Sequence, residues 1–279
     1  MHRTKTFLLM FTLIIVFMFF GGMIAGENGV IMAFVFALAI NFISYWNSDK
    51  LAIKMTKSQP LSESEAPEIY RIVRKLSKNA ELPMPKIYLT PSNQPNAFAT
   101  GRNPEHAAVA VTKGLINLLN EDELEGVIAH ELAHVKNRDT LISTMAAVMA
   151  GALAFLARMG RFRMLFGGRR RNGGGAGALL QLVAIIFAPL AAILIKMAIS
   201  RSREYIADET GGRISGNPEG LASALEKMQR YSQGGQKMQV NEAAAHMFIL
   251  NPLSREGMAK LFSSHPPTEE RIKRLRQAK

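Results

Sequence analysis

Two histidines and a glutamate are spaced as a metal centre requires. The run His130-Glu131-Leu132-Ala133-His134 places the two imidazoles four residues apart. On a helix, residues at that separation lie on one face about one turn apart, so both rings can bind a single ion while Glu131 lies beside it. The pattern predicts the core of a zinc peptidase, with one Zn²⁺ per chain as cofactor and Glu131 as general base. The alternative is a helix that carries two histidines without a metal.

The segment around these residues has the signals of a helix. Asn120 followed by Glu123 resembles a capping box, and acidic residues crowd the predicted first turn. Apolar residues then recur at helical spacing, at Leu124, Val127, Ile128 and Val135. The two histidines are therefore expected on a rigid backbone.

A catalytic zinc ion needs a third protein ligand and one open position. The chain contains no cysteine, so this ligand must be His, Asp or Glu. Glu204 and Asp208 are four residues apart and would share a helical face, which makes Glu204 the candidate third ligand and Asp208 a candidate to orient a histidine. Acidic pairs at this spacing are also common on surface helices, so the assignment depends on the histidine motif.

Several motifs together resemble one known family. The runs HELAHVKNRD (130–139) and SRSREYIAD (200–208), with the stretches 96–99, 243–249 and 264–268, look like those of the HtpX-type membrane metallopeptidases, relatives of the CAAX prenyl-protein peptidases. The resemblance covers nearly the whole chain. It implies a membrane-embedded zinc endopeptidase of bacterial quality control and stress response, with a gluzincin-like catalytic domain and polypeptide substrates that include misfolded membrane proteins.

The resemblance also implies a substrate-binding edge strand that contains Asn96, Ala97 and Phe98. An extended substrate can pair with such a strand through backbone hydrogen bonds, whatever its side chains are. Without the resemblance, this run would be read as an ordinary strand with a buried Phe98. His265 has three open roles: hydrogen bonding to the tetrahedral oxyanion, a fourth zinc ligand in a resting state, or a cap of the last helix.

Two other functions remain open from sequence. A non-catalytic membrane scaffold could hold zinc for stability, although a structural site has no use for Glu131. A site-specific processing peptidase of the CAAX type would need a deep chamber within the membrane, and the four apolar blocks of the chain are too few to build one.

The composition indicates a membrane protein. Hydrophobic residues make up 48% of the chain and charged residues 20%, so apolar blocks must alternate with ordinary soluble sequence. Stretches 7–25 and 30–46 are nearly free of charge, and each is close to the ~20 residues that cross a bilayer as a helix. Only residues 26–29 separate them, which favours a membrane hairpin over a cleaved signal peptide.

Flanking charges predict the orientation of this hairpin. Basic residues lie at both of its ends, and the only charged residue of the intervening loop is Glu27; the basic residues are Arg3, Lys5, Lys50, Lys54 and Lys57. The positive-inside rule then places both ends, and with them the catalytic domain, in the cytoplasm. The resemblance to the HtpX-type peptidases implies that the membrane is the bacterial inner membrane.

A second apolar pair, at 141–156 and 178–199, encloses a loop that carries Arg158, Arg161, Arg163, Arg169, Arg170 and Arg171. Two full crossings would put this loop outside, against the positive-inside rule. Either the pair forms a shallow hairpin, or packing against the first pair overrides the charge bias. The net charge of +12 and these arginines predict contact with anionic lipid headgroups. Nucleic acid is not expected, because no aromatic residues interleave the basic patch.

The remaining sequence predicts an α+β catalytic domain. A helix is expected from Pro67 to about Asn79, followed by strands at 86–90, 97–100 and 107–112. Further helices are expected around Leu225 and at 268–276, and Gly211 with Gly212 is expected to cap the helix of Glu204. The fold class is a mostly α membrane protein with a gluzincin-like zinc peptidase domain, in which a small antiparallel or mixed sheet lies beside the histidine helix. The predicted segments are 1–50 (membrane hairpin), 51–140 and 200–279 (the two parts of the catalytic domain), and 141–199 (second apolar hairpin).

Overall fold

The computed structural model describes residues 2–148, 201–233, 249 and 266–277. Within these ranges, a helical N-terminal region is followed by a domain in which helices pack on a four-stranded sheet. The elements are α1 (His2–Trp46), α2 (Ser48–Met55), β1 (Gln59–Pro60), α3 (Pro67–Ala80), β2 (Lys86–Thr90), β3 (Ala97–Thr100), a 3₁₀ turn (Pro104–His106), β4 (Ala108–Thr112), α4 (Lys113–Leu118), α5 (Glu121–Lys136), α6 (Arg201–Ser215), α7 (Pro218–Gln233) and α8 (Thr268–Gln277).

Helix α1 is a hairpin of two helices. Ala25 and Gly26 have non-helical backbone angles, and Gly26 lies in the left-handed region at φ 59°. The chain reverses there, and a Cβ added to Gly21 would lie 2.2 Å from the carbonyl oxygen of Gly29. Glycine permits this close approach of the two arms, since a side chain would clash with the facing backbone.

Contacts further along the two arms agree with a hairpin. The Asn41 side chain donates a hydrogen bond to the carbonyl oxygen of Met10, and the rings of Phe17 and Phe36 lie 5.6 Å apart. Among the described helices, only Ala25–Trp46 is both long and apolar enough to cross a membrane, while the apolar helix Met10–Gly22 is shorter. The two arms therefore form a helical hairpin, whose reversal begins at Ala25, one residue earlier than expected, while its crossing of the membrane by both arms stays a prediction.

The third apolar stretch begins as a helix at residues 140–148 and packs against this hairpin. One buried cluster joins the two parts, and its members are Leu13, Phe17, Phe20, Ala37, Ile142, Met145 and Ala146. The rest of this stretch, the Arg-rich loop and the fourth apolar stretch lie outside the described residues. The choice between a shallow hairpin and two crossings therefore stays a prediction.

The sheet is mixed, as predicted. Its strand order is β1-β2-β4-β3, with β2 and β4 parallel and the two outer pairings antiparallel. The three expected strands are present, with β4 starting at Ala108. Strand β1 was not predicted, because a two-residue run has no periodicity to detect. Its Pro60 has no N–H to donate and so suits a strand at the edge of the sheet.

Helix α5 forms the centre of the domain and is buried along most of its length. A Cβ on Gly126 would lie 2.4 Å from the backbone nitrogen of Leu221, and a Cβ on Gly211 would lie 2.9 Å from Cα of His130. These glycines allow α7 and α6 to approach α5 closely. The expectation that Gly211 and Gly212 cap the helix of Glu204 is therefore wrong: α6 continues to Ser215, and Gly216 follows with a positive φ of 71°.

Candidate active site

The start of α5 is fixed by the predicted capping box. The Asn120 side chain accepts a hydrogen bond from the Glu123 backbone N–H at 2.9 Å, and the Glu123 carboxylate accepts one from the Asn120 N–H at 3.0 Å. The backbone N–H groups of Asn120 and Glu123 therefore both have an acceptor, so the helix begins at a defined residue. The motif follows two turns later, and its residues all lie on regular helix.

Two helices bring three ligand atoms together. His130 and His134 of α5 place their Nε2 atoms 3.2 Å apart. Glu204 of α6 reaches both rings, with one carboxylate oxygen 3.7 Å from Nε2 of His130 and the other 3.7 Å from Nε2 of His134. These three residues form a group able to hold a metal ion. The structure therefore assembles the predicted ligand set.

The geometry fits a tetrahedral zinc site. Ligand atoms about 2.0–2.2 Å from a tetrahedral ion lie roughly 3.3–3.6 Å from one another. The three distances between the histidine and glutamate atoms are close to that range, and two imidazoles with one carboxylate are a known donor set of catalytic zinc. Three protein ligands would leave one position open for substrate or water.

His130 is held from behind by Asp208 and Arg271. Its Nδ1 atom lies 2.9 Å from Oδ1 of Asp208, which frees Nε2 to face the metal position. Arg271 of α8 in turn donates two hydrogen bonds, of 2.9 and 2.7 Å, to the carboxylate of Asp208. Asp208 thus lies against the ring nitrogen of His130 that faces away from the metal position, and its orienting role stays a prediction.

The charges of this group reinforce one another. Burial by itself raises the pKa of Asp208, but the positive charge of Arg271 and the contact with His130 outweigh burial and lower the pKa to about 2. Burial by itself lowers the pKa of Arg271, and Asp208 raises it above its ordinary value. The carboxylate and the guanidinium therefore both stay charged at neutral pH.

His134 is in a different electrostatic environment. Burial acts to lower its pKa, but the hydrogen bond with Asp139 and the negative charges of Glu204 and Glu131 raise it to about 9 when no metal is present. The ring therefore holds a proton at neutral pH in the metal-free protein. Because a metal ligand must be deprotonated, binding of the ion must displace this proton.

Glu131 is buried within α5, with 3% of its surface exposed. It follows His130 directly, and its negative charge acts on both His134 and Arg271. This position beside the metal ligands is the one that a general base requires.

The predicted substrate strand lies at the edge of the described sheet. Ala97 and Phe98 belong to β3, and Asn96 directly precedes that strand; all three are buried. The Asn96 side chain accepts a hydrogen bond from the Ala97 N–H, and the carbonyl oxygen of Ala97 accepts one from Ile249. The Phe98 ring packs into a cluster with Ala52, Ala110 and Ala147. The Phe98 side chain is therefore not available to a substrate.

Among the described residues, His106 lies apart from this centre. His265 and His246 lie outside the described residues, so the three roles of His265 stay predictions. His106 is exposed and contacts Arg102 and Asn103 at the surface, as expected for a histidine without a spacing partner.

Arg271 was missed by the sequence reasoning. The run 268–276 was recognised only as a basic helix, but Arg271 and Leu275 are four residues apart and both are buried. The helical periodicity of the apolar residues could have placed Arg271 on the inner face. What it contacts there depends on the packing of α8 against α6, which the local sequence does not encode.

Comparison with known proteins agrees with this geometry. The family model described as peptidase family M48 matches residues 63–279, which include both histidines, Glu131, Glu204 and Asp208. The chain belongs to peptidase family M48. It is therefore a metalloprotease with polypeptide substrates, as predicted.

Two M48 relatives are similar over almost their full length. The protease HtpX homolog of Syntrophobacter fumaroxidans is 54% identical, with 98% of each chain covered. The protease HtpX homolog of Pelotomaculum thermopropionicum is 53% identical, with 99% of this chain and 98% of the relative covered. The predicted resemblance to HtpX-type peptidases is confirmed, and together with the apolar helix Ala25–Trp46 these relatives identify a membrane protease.

A solved structure shows a similar fold. The crystal structure of S. mikatae Ste24p matches 98% of this chain with a TM-score of 0.54 and 18% sequence identity. This chain spans 65% of the length of that protein. At this level of identity the likeness shows the fold alone.

Proposed function

We propose that this M48 protease is a zinc endopeptidase that cleaves unfolded or damaged membrane proteins on the cytoplasmic side of the bacterial inner membrane. The observation that carries the proposal is the convergence of His130, His134 and Glu204, with Glu131 adjacent. The division into a membrane hairpin (1–50), a split catalytic domain (51–140 and 200–279) and a second apolar hairpin (141–199) belongs to the same proposal.

Each residue of the centre has a defined task in this mechanism. Zinc bound by the three ligands would supply Lewis acidity, which polarises a peptide carbonyl and acidifies water. Glu131 accepts the proton of the attacking water and later delivers it to the leaving amine. Asp208 and Arg271 hold the His130 ring so that its Nε2 atom faces the ion.

Strand β3 is suited to bind an extended polypeptide. It lies at one end of the strand order and pairs with β4 in antiparallel fashion from Ala97 to Thr100. On its outer side the carbonyl oxygen of Ala97 accepts a hydrogen bond from the Ile249 N–H, so a substrate would pair beyond this contact or displace it. Backbone pairing along such an edge does not read side chains, so it favours any segment that is unfolded and can extend. Broad specificity for damaged proteins follows from this mode of binding.

The test compares two buried glutamates on the same helix. Glu131→Gln keeps the size of the side chain but cannot accept a proton, so cleavage of an unfolded test protein should fall by about 10²- to 10⁴-fold while bound zinc stays at one per chain. Glu125→Gln is the matched control, because Glu125 is also buried in α5 but pairs with Lys75 away from the centre. Cleavage by Glu131→Gln at the rate of this control would refute the mechanism.

A further inference from the structure

Both metal-binding histidines have a carboxylate behind them, and each carboxylate faces a buried arginine. For His130 these partners are Asp208 and Arg271. For His134 the partners are Asp139, whose Oδ2 lies 3.5 Å from Nδ1 of the ring, and Arg203, whose Nη1 lies 3.8 Å from Oδ1 of Asp139. Asp139 and Arg203 have no role in the proposed proton transfers of Glu131.

The backbone brings Asp139 to His134. Helix α5 ends at Lys136, and Arg138 then adopts a positive φ of 59°. This turn folds the chain back onto the helix, and the Asp139 N–H donates a hydrogen bond to the carbonyl oxygen of His134. The Asp139 side chain is thereby placed next to the imidazole five residues before it.

Arg203 connects this carboxylate to the third ligand. It precedes Glu204 directly on α6, and it is buried, with 8% of its surface exposed. Burial lowers the pKa of Arg203, and the negative charges of Asp139 and Glu204 oppose that effect. The ion pair between Arg203 and Asp139 therefore joins α6 to the turn that follows α5.

We propose that Asp139 and Arg203 form a positioning pair for the zinc ligand His134. Asp139 accepts a hydrogen bond from the Nδ1–H group of His134, which selects the tautomer whose Nε2 atom can bind the ion. Arg203 fixes the carboxylate in that position. His134 depends on the pair because its side chain is 15% exposed, whereas that of His130 is fully enclosed.

The competing explanation is that Asp139 only caps a helix. It precedes the helical segment 140–148, and its carbonyl oxygen accepts a hydrogen bond from the Ser143 N–H. Asparagine caps a helix about as well as aspartate. Asp139→Asn therefore keeps the cap and removes the negative charge, and so separates the two roles.

The experiment measures zinc affinity and the Tm of the metal-free protein on the full chain in detergent, by competition with a chromogenic chelator and by thermal unfolding. This inference rests on the proposed zinc peptidase. Asp139→Asn should weaken zinc binding by about 10- to 100-fold with little change in the Tm of the metal-free protein. Arg203→Gln should weaken zinc binding in the same direction, and Asp139→Glu, which keeps the charge, should recover part of the affinity. Asp122→Asn is the control, since Asp122 is an exposed acid in the first turn of α5.

Each outcome has a defined meaning. The positioning role is overturned if both Asp139→Asn and Arg203→Gln bind zinc within twofold of the affinity of the parent protein. It is also overturned if Asp122→Asn loses as much zinc affinity as Asp139→Asn. If Asp139→Asn does not fold, the other two variants decide. A folded Arg203→Gln that loses zinc affinity, together with an Asp139→Glu variant that retains zinc affinity, supports the positioning role, and any other result assigns Asp139 a role in folding alone. A parent protein that binds no zinc overturns the proposed function as well, whereas a parent that binds zinc and cleaves protein leaves that function intact whatever the variants show.

Discussion

The charges around the metal position balance only when an ion is bound. Four carboxylates surround it, from Glu131, Asp139, Glu204 and Asp208, and two guanidiniums face them, from Arg203 and Arg271. Four negative charges against two positive charges leave two negative charges, and a divalent cation neutralises these. In the metal-free protein the proton of His134 supplies part of the missing positive charge, in agreement with its pKa of about 9. The site is therefore selective for a cation through its buried charges as well as its ligands.

Arg271 should stabilise the fold even without metal. It is fully buried, and Arg271→Met would leave Asp208 as a buried charge without its guanidinium, at a cost of about 3–5 kcal/mol in the free energy of unfolding. Adding Asp208→Asn to that variant removes the stranded charge and should recover part of the loss. Urea denaturation of chelator-treated protein in detergent measures both variants. A double variant as unstable as the sum of the two single variants would show that the pair is not coupled.

At the scale of elements, Glu123 ties the active-site helix to α7. Besides its part in the capping box, its carboxylate accepts hydrogen bonds from Ser223 at 2.7 Å and from Lys227 at 2.8 Å. Burial acts to raise the pKa of Glu123, but Lys227, Ser223 and the Asn120 N–H outweigh burial and lower it below the ordinary value of 4.5. One side chain thus fixes both the start of α5 and its contact with a neighbouring helix.

This arrangement predicts a pH-dependent stability. Because the pKa of Glu123 is lowered on folding, its contribution is fully present above about pH 4.5 and is lost as the pH falls through the folded-state pKa. Glu123→Gln keeps the cap but loses the ion pair, so it should lower the free energy of unfolding by about 1–3 kcal/mol at pH 7, and by less below pH 4. Urea denaturation in detergent at both pH values measures this difference.

The control for that prediction is on the same helix. Glu121 pairs with Arg71 at 2.8 Å, but the two side chains are 54% and 56% exposed. Solvent screens such a surface pair, so Glu121→Gln should be nearly neutral. Equal effects of Glu121→Gln and Glu123→Gln would contradict the role of burial.

Local sequence predicted the elements well because each has a short-range signal. The capping box at Asn120, the proline that opens α3 at Pro67 and the β-like runs all lie within a few residues of the structure that they specify. Gly211 was misjudged because its role is tertiary: it allows α6 to approach His130, and only the packed structure shows this. Arg203 and Asp139 were missed for the same reason, since their partners come from different elements.

At the scale of the whole molecule, the active site is built onto the membrane region. Only three residues separate the end of α5 from the helical segment 140–148, which packs against the N-terminal hairpin. Strand β3, the proposed substrate strand, is linked to the same region, because the hydroxyl groups of Thr100 and Thr144 lie 2.9 Å apart. Arg102, just after that strand, donates a hydrogen bond to the carbonyl oxygen of Trp46 at the end of α1 and lies over its ring. If the hairpin crosses the bilayer as proposed, its orientation therefore fixes the side on which cleavage occurs.

Single cysteines in this cysteine-free chain test that orientation. Asn28 is exposed close to the hairpin reversal, and Glu209 is exposed on α6 beside the metal centre. If the basic ends of the hairpin are cytoplasmic, a membrane-impermeant thiol reagent added to spheroplasts should label Asn28→Cys and spare Glu209→Cys until the membrane is permeabilised. Labelling of Glu209→Cys before permeabilisation would place the active site outside and remove cytoplasmic segments as substrates.

Gly174→Cys, in the loop that carries the six arginines, should also be spared if the second apolar pair is a shallow hairpin whose arginines face the anionic inner leaflet. Labelling of Gly174→Cys in intact spheroplasts would instead demonstrate that the second apolar pair crosses the membrane twice. Packing against the first hairpin would then outweigh the preference of the arginines for the cytoplasmic side.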